Sequence, residues 1–435
     1  MDEALQESVM ALEALLRQEP TIDRAVLISD LFGQLRVAVW AGEAARDAIK
    51  HKIADVLKKA AGVYWTEEIW FAEQSESDSA IAEMAWEGGR VIEGSDRVRL
   101  LQRLRRNSAW TKDPSKPVWP LKDGDHAGGP PIIVFYSFKG GVGRSTALAS
   151  FAVQRARKGE RVVVLDLDLD APGVGVLLAS DDAGTIARWG VTDYFLERQM
   201  GGNDLRDYYH ACRREKVTGS GEILVIPAGQ TDEHYLSKLA RVDFELPDEA
   251  GTVHPLFAIL EEVRSQLAPH WILLDARAGL SEPAGLLLSG LAHLYVLFGT
   301  SSEQSWQGLR LVLKHLGAER VLENKAQIDC LLVQAMVPED PRASNTAKGF
   351  FSDRARDEFS TNYYSQDPDD PNEDSLWYVR DLDDEDAPHA PVPISYKAAL
   401  SHFERIDDIA SILADSPEYV FLAKRIADRF ADAGE

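Results

Sequence analysis

Two cysteines, Cys212 and Cys330, are all that the 435 residues contain. So few, so far apart, exclude a disulfide framework and a cysteine-based zinc site, and they suit a reducing compartment. Long hydrophobic runs are missing as well. No apolar stretch approaches the roughly 20 residues that a membrane-spanning helix needs. Positive charge is in short supply: 47 Lys and Arg stand against 71 Asp and Glu, a formal charge of -24. Such a surface repels a phosphate backbone, so nonspecific DNA binding would need a local basic patch working against the overall field. The opening segment, Met1–Arg17, is acidic and amphipathic and has no basic start, so it does not resemble a secretory signal. The expected location is cytoplasmic.

What remains is the composition of a folded protein, 45% hydrophobic and 27% charged, long enough for two or three domains. Residues 1–115 read as a separate α/β module. A helix over Glu3–Gln18 leads to an alternating stretch, Arg24–Ala41, broken at Phe32-Gly33 as a β-hairpin would be. Gly42–Ala61 has helical spacing and Val63–Ala72 reads as a strand. Asp96–Arg106, with Arg97, Arg99, Arg103, Arg105 and Arg106, reads as a basic helix. A Pro-, Gly- and Asp-rich linker is expected over 116–130.

From Pro131 the pattern becomes strand, glycine loop, helix, strand, the signal for a doubly wound, mostly parallel α/β sheet over 131–435. Continuous apolar runs mark strands at Ile132–Tyr136, Arg161–Leu165, Glu222–Ile226, Trp271–Leu274, Leu294–Phe298 and Ile328–Val333. Helices are expected at Ser145–Arg157, Pro255–Leu267, Ser302–Leu316 and Pro417–Ala431. The stretch 338–391, with acidic tracts at Asp367–Asp370 and Asp381–Asp386, reads as an insertion or flexible loop.

The most informative run is Lys139-Gly140-Gly141-Val142-Gly143-Arg144-Ser145-Thr146, directly after a strand. A glycine-rich turn into a helix N-terminus offers several backbone N–H groups and a favourable dipole to an anion. The usual phosphate-binding loop ends Gly-Lys-Ser/Thr. Here Arg144 fills the lysine slot, Phe138 replaces the first glycine, and Lys139 stands at the front. Ser145 is placed to ligate Mg²⁺, and Thr146 to donate to a phosphate. Downstream, Val162–Leu165 ends in Asp166, Asp168 and Asp170, which brings carboxylates to the ligand-binding edge of a parallel sheet. Asp166 is a candidate for the metal's hydration shell and Asp168 for orienting a water. Trp271–Leu274 ends in Asp275, the form of a strand whose carboxylate supports a metal.

Taken together, these three pieces resemble the ParA/MinD-type ATPases, members of the SIMIBI class with a deviant Walker A motif. The resemblance covers roughly Pro131–Ile394. It implies ATP and Mg²⁺ as cofactors and an ATP-dependent homodimer, in which Lys139 reaches the partner's phosphates. It further implies switch roles for Asp166 and Asp168, the Walker B role for Asp275, and a base pocket near Gln334–Pro338. The Lys-Gly-Gly-Val-Gly-Arg form resembles a variant subgroup found in bacterial multidomain proteins linked to signalling or antiviral defence. Arginine is planar and bulkier than lysine, so it cannot act as the same point charge. The expected function is therefore a slowly hydrolysing ATP switch, with the first module meeting a protein partner. The alternatives are a non-hydrolysing ATP-bound scaffold and a DNA-partitioning ATPase. The terminal helix Tyr419–Phe430 is amphipathic, but its Asp428 and Asp432 favour docking on the core over binding membrane. His293 and the other histidines lack metal-ligand spacing.

Overall fold

In the computed structural model the described residues are 2–30, 33–72, 76–92, 95–102, 110, 116–121, 128–178, 187–197, 204–212, 214–244, 253–322, 325–366, 376–403 and 405–431. Contacts divide the chain into two units, Met1–Asn107 and Ser108–Glu435.

The first unit carries five strands: β1 (Ile22–Ser29), β2 (Leu35–Ala41), β3 (Trp65–Phe71), β4 (Arg90–Ile92) and β5 (Ser95–Gln102). They form one sheet in the order β3-β2-β1-β5-β4, with β1 antiparallel to β2 as the hairpin reading expects. One face buries Leu27, Val37 and Val39 under the helices Asp2–Gln18 and Arg46–Ala61, which contribute Leu12, Leu16, Ile53 and Leu57. The other packs Val26, Ala38 and Trp40 against Ala82 and Ala85 of the helix Glu76–Gly88, which the sequence reading did not anticipate.

The basic helix expected over Asp96–Arg106 is corrected to strand β5. Val98 and Leu100 are buried while Arg97 and Arg99 alternate with them, the period of two that a half-buried strand requires. Arg97 donates to the carbonyls of Leu16 (2.8 Å) and Asp23 (2.9 Å), and Arg99 stacks on Trp86 at 4.3 Å. Arg103, Arg105 and Arg106 lie outside the described residues.

The second unit holds β6 (Ile132–Ser137), β7 (Arg161–Leu167), β8 (His210–Cys212), β9 (Glu222–Ile226), β10 (Trp271–Ala276), β11 (Leu294–Gly299), β12 (Cys330–Val337) and β13 (Val392–Ser395). Their order is β13-β12-β11-β6-β10-β7-β9-β8, parallel throughout except for β8 against β9. This is the doubly wound sheet of a P-loop protein. Ile132, Val134 and Tyr136 enter a core shared with the helices Pro255–Glu262, Glu303–Leu316 and Pro341–Asn362. Ile133 and Phe135 enter the opposite core, under Arg144–Arg157, Ile406–Asp415 and Pro417–Asp428. Burial on both faces is why these strands read as unbroken apolar runs.

Two stretches differ from their sequence reading. Residues 116–121 and 128–130, taken as linker, belong to the second unit. Val118 donates its amide to Leu291, and Trp119 is buried with its indole on the Pro130 carbonyl at 2.9 Å. The acidic stretch 338–391 carries the 22-residue helix Pro341–Asn362, started by Pro341 and by the Asp340 carboxylate accepting the Ala343 amide. Phe351, Ala355 and Phe359 seat that helix in the core, so the flexible-loop reading fails for its described part; the Asp367–Asp370 tract lies outside the described residues. The terminal helix buries Tyr419, Leu422 and Ile426, as expected of a docked helix.

Candidate nucleotide site

The strand register brings the candidate residues to one edge. Asp275 on β10 pairs with Asp166 on β7 and with Phe135 on β6, so the strand ends and the loop that leaves β6 converge. Gly141 (φ 72°) and Gly143 (φ 86°) adopt left-handed backbone there, and no heavy atom lies within 4 Å of where a Cβ would stand on Gly140, Gly141 or Gly143. The cradle is therefore open on its ligand side. The loop feeds the helix Arg144–Arg157, whose N-terminus faces a cleft of about 400 Å³.

Phe138, the departure at the first glycine position, has a packing role. Its ring lies against Gly308, where a Cβ would come within 2.1 Å of it. Lys139 is half-buried and donates to the Ser302 hydroxyl at 3.2 Å. Val142 is buried beneath the loop, and Thr146 lines the cleft. Ser137, at the end of β6, also lines the cleft, and its buried hydroxyl has no hydrogen-bond partner among the described residues.

Arg144 is 7% exposed and turns into the carboxylates. Its Nε donates to Asp275 Oδ1 at 2.7 Å and its Nη2 to Asp168 Oδ2 at 2.8 Å. Ser145 Oγ donates to the other Asp275 oxygen at 2.6 Å. Asp168 Oδ1 accepts the Ala171 amide at 3.3 Å. Asp166 is fully buried: Oδ2 accepts the Gly173 and Gly175 amides, both at 3.1 Å, and Oδ1 accepts the Asp168 amide at 3.3 Å. Its carboxylate thus ties the segment 168–175 to β7. Asp170 forms an ion pair with Arg277.

Burial, with Asp275 adding repulsion, lifts Asp166 to about 7. Burial also raises Asp275, while Arg144 and the Ser145 hydroxyl pull against it. For Arg144 burial acts downward, but Asp275 and Asp168 outweigh it and hold the guanidinium above its ordinary value. One buried cation thus serves two of the three acids, and backbone amides hold the third.

Of the segment Gln334–Pro338 expected near the base, Met336 lines the cleft, while Gln334 and Pro338 do not. Gln334 is buried and donates to the Ala347 carbonyl at 3.0 Å, and Pro338 is exposed on the far side of Val337. The cleft wall is Met336, Ile394, Tyr396, Leu400 and Tyr419. Beyond Met336, which falls in that segment, nothing in the local pattern marks these residues as a wall; the fold brings them together across about 80 residues. Gly308 did carry a signal, a lone glycine inside a helical pattern.

Glycine cradle, serine-capped carboxylate and parallel strand ends define a P-loop nucleotide-binding domain. The model of the CobQ/CobB/MinD/ParA nucleotide-binding domain family matches residues 133–357, more than half of the chain, and the chain belongs to this family. Among solved structures it is similar to the septum site-determining protein MinD of Pyrococcus horikoshii complexed with Mg-ADP. That match has 15% identity over 70% of this chain and 98% of the other, with a TM-score of 0.43. It is also similar to a ParA family ATPase of Chlorobium tepidum, at 15% identity over 69% and 97% of the two chains, with a TM-score of 0.43. No curated protein matches the chain. No helix among the described residues is long and apolar enough to cross a membrane.

Proposed function

We propose that this chain is an ATP-binding molecular switch of low intrinsic hydrolysis that pairs with a second copy when nucleotide is bound and signals through its first unit to a protein partner. The observation that carries this reading is the open glycine cradle set directly above the clamp of Arg144 on Asp168 and Asp275.

The residues fit a triphosphate. Gly140, Gly141 and Gly143 leave the loop clear of side chains, as a phosphate approaching loop amides needs, and the buried Ser137 hydroxyl, without a partner among the described residues, adds a donor beside the cleft. They also fit Mg²⁺, with the Ser145 hydroxyl as ligand and Asp275 holding it from behind. When bound, Mg²⁺ supplies positive charge to the phosphate oxygens. Asp168 stands where a carboxylate can accept a proton from water, but Arg144 occupies one of its oxygens. That engagement supports a slow enzyme. Lys139 stands at the front of the loop with its ammonium on the Ser302 hydroxyl, its one side-chain bond among the described residues, and a long unbranched stem of this kind can reach across to a second copy. The acidic charge argues against nonspecific duplex as the partner.

Calorimetry with ATP and Mg²⁺ tests the binding step, and absence of a complex at millimolar ligand ends the proposal. Phosphate release that falls at least about tenfold in Asp168→Ala supports hydrolysis assisted by that carboxylate. An unchanged rate would favour the non-hydrolysing scaffold instead. ATP-dependent dimerisation, followed by light scattering, is expected to disappear in Lys139→Ala.

A further inference from the structure

All six oxygens of the three site carboxylates already carry a partner. Asp275 is held by Arg144 and Ser145, Asp168 by Arg144 and the Ala171 amide, and Asp166 by the amides of Asp168, Gly173 and Gly175. Among the described residues no group of three or more His, Cys, Asp or Glu side chains is arranged to hold a metal ion. A single guanidinium produces this closure. It bridges Asp275 on β10 and Asp168 just past the end of β7, and a lysine ammonium, a point charge without a planar fork, would not reproduce this two-nitrogen geometry.

We infer that Arg144 is a built-in counter-ion: in the nucleotide-free protein its guanidinium holds the place of the divalent cation, and the acid cluster takes up metal only when Arg144 is drawn away toward phosphate. The inference deepens the nucleotide-switch reading and rests on it for the second half, the departure of Arg144. The first half concerns the protein alone. Arg144 is nearly closed off from solvent, with side-chain exposures of 8% for itself, 11% for Asp168 and 1% for Asp275. In that setting the charge of one cation is weakly screened, and it governs whether a second cation can enter. The same movement would free Asp168 and Asp275 together, so nucleotide arrival, metal uptake and release of the water-facing carboxylate become one event. That coupling is what an arginine adds at a position where lysine would serve phosphate alone.

The test uses the full-length protein and Mn²⁺ alone, without nucleotide, read by electron paramagnetic resonance of free Mn²⁺. Wild type is expected to take up no Mn²⁺ at this site below millimolar concentration. Arg144→Gln removes the charge, and its Mn²⁺ affinity is expected to rise by about tenfold or more, a conservative figure for losing a cation some 5 Å away at an effective dielectric near 20. Arg144→Lys keeps the charge but not the bridge, and a smaller rise is expected. If Arg144→Gln does not fold, as judged by circular dichroism, the lysine variant decides. Mn²⁺ uptake by wild type equal to that of the folded variants overturns the inference. Adding ATP to wild type is expected to bring Mn²⁺ uptake with it. Calorimetric ATP binding in EDTA and in Mn²⁺ separates the outcomes. ATP bound but Mn²⁺ uptake unchanged by Arg144 substitution defeats the counter-ion and spares the nucleotide reading. No ATP binding in either condition defeats the nucleotide reading, and the Mn²⁺ comparison still judges the counter-ion.

Discussion

At the amino-end edge of the large sheet, His293 accepts the Ile132 amide through Nδ1 at 2.9 Å and meets the Trp119 carbonyl through Nε2 at 2.9 Å. His270 accepts the Arg161 amide at 3.0 Å in the same manner. Imidazole rings close these two strand starts, each backbone amide matched by one ring acceptor. At the carboxyl-end edge, three carboxylates from β10 and the end of β7 crowd together with Arg144 as the counter-charge of two of them, and burial pushes Asp166 and Asp275 upward. One edge is matched for stability, and the other holds unbalanced charge. Charge crowding of this kind persists where binding needs it, because burying an unmatched carboxylate opposes folding.

Removing the single cation is the harshest way to probe that imbalance. Arg144→Met leaves Asp168 and Asp275 buried without their counter-charge, and the expected loss is about 3–5 kcal/mol near pH 8. The loss should shrink toward pH 5, the direction in which Asp275, raised by burial and deprived of Arg144, takes up its proton. Urea unfolding at the two pH values measures it. A loss independent of pH would mean that Arg144 matters as packing rather than as charge.

The amino-end edge responds to pH in the opposite sense. His293 is lowered to about 4 by burial, against an unfolded value near 6.5, so the unfolded chain binds more protons between these limits. Its contribution is complete above pH 6.5 and is lost as pH falls through 4, by roughly 3 kcal/mol for a shift of this size. In His293→Gln, unfolding free energies between pH 4 and 7 should lose that part of their slope. An unchanged slope would show that the ring titrates freely.

Asp166 gives the mirror case. Its folded value of about 7 lies above the unfolded one, so the folded chain binds more protons and this residue costs stability as pH rises from about 4 through 7. Asp166→Asn keeps an oxygen for the Gly173 and Gly175 amides and removes the charge. The expected gain is about 1–3 kcal/mol at pH 8, vanishing at pH 4. Destabilisation at pH 8 would mean that the ionised carboxylate is the form the fold requires.

These edges differ also in how far the sequence reveals them. The loop, Asp166, Asp168 and Asp275 are local, since each sits within or at the end of a contiguous apolar strand, and six of the eight strands in the second unit were read from such runs. The short β8 and β13 were not, because three or four residues carry no period. Arg144 was legible as an anomaly, but its turn into the carboxylates depends on the register of β7 against β10, which no local pattern states. The cleft wall from Met336, Ile394 and Tyr419 is likewise a product of tertiary contact. Asp96–Arg106 was misread for a different reason: the count of arginines drew attention away from the alternation of Val98 and Leu100.

The mildest contrast pairs two glycines. Gly141 (φ 72°) lies in the cradle, and Gly159 (φ 85°) precedes β7 at the opposite edge. A Cβ on Gly141 meets nothing within 4 Å, and one on Gly159 meets only the Ser220 hydroxyl at 3.4 Å. Alanine at either site therefore costs backbone strain alone, about 1 kcal/mol, by the left-handed penalty for an L-residue. Thermal melts should place the two variants close together. Nucleotide binding should separate them, because Gly141 lines the cleft beside the helix N-terminus and Gly159 does not. Calorimetry with ATP is expected to give weakened binding for Gly141→Ala and wild-type binding for Gly159→Ala. Equal affinities would mean that the loop amides do not face the ligand, and the assignment of the cradle to phosphate would fall with them.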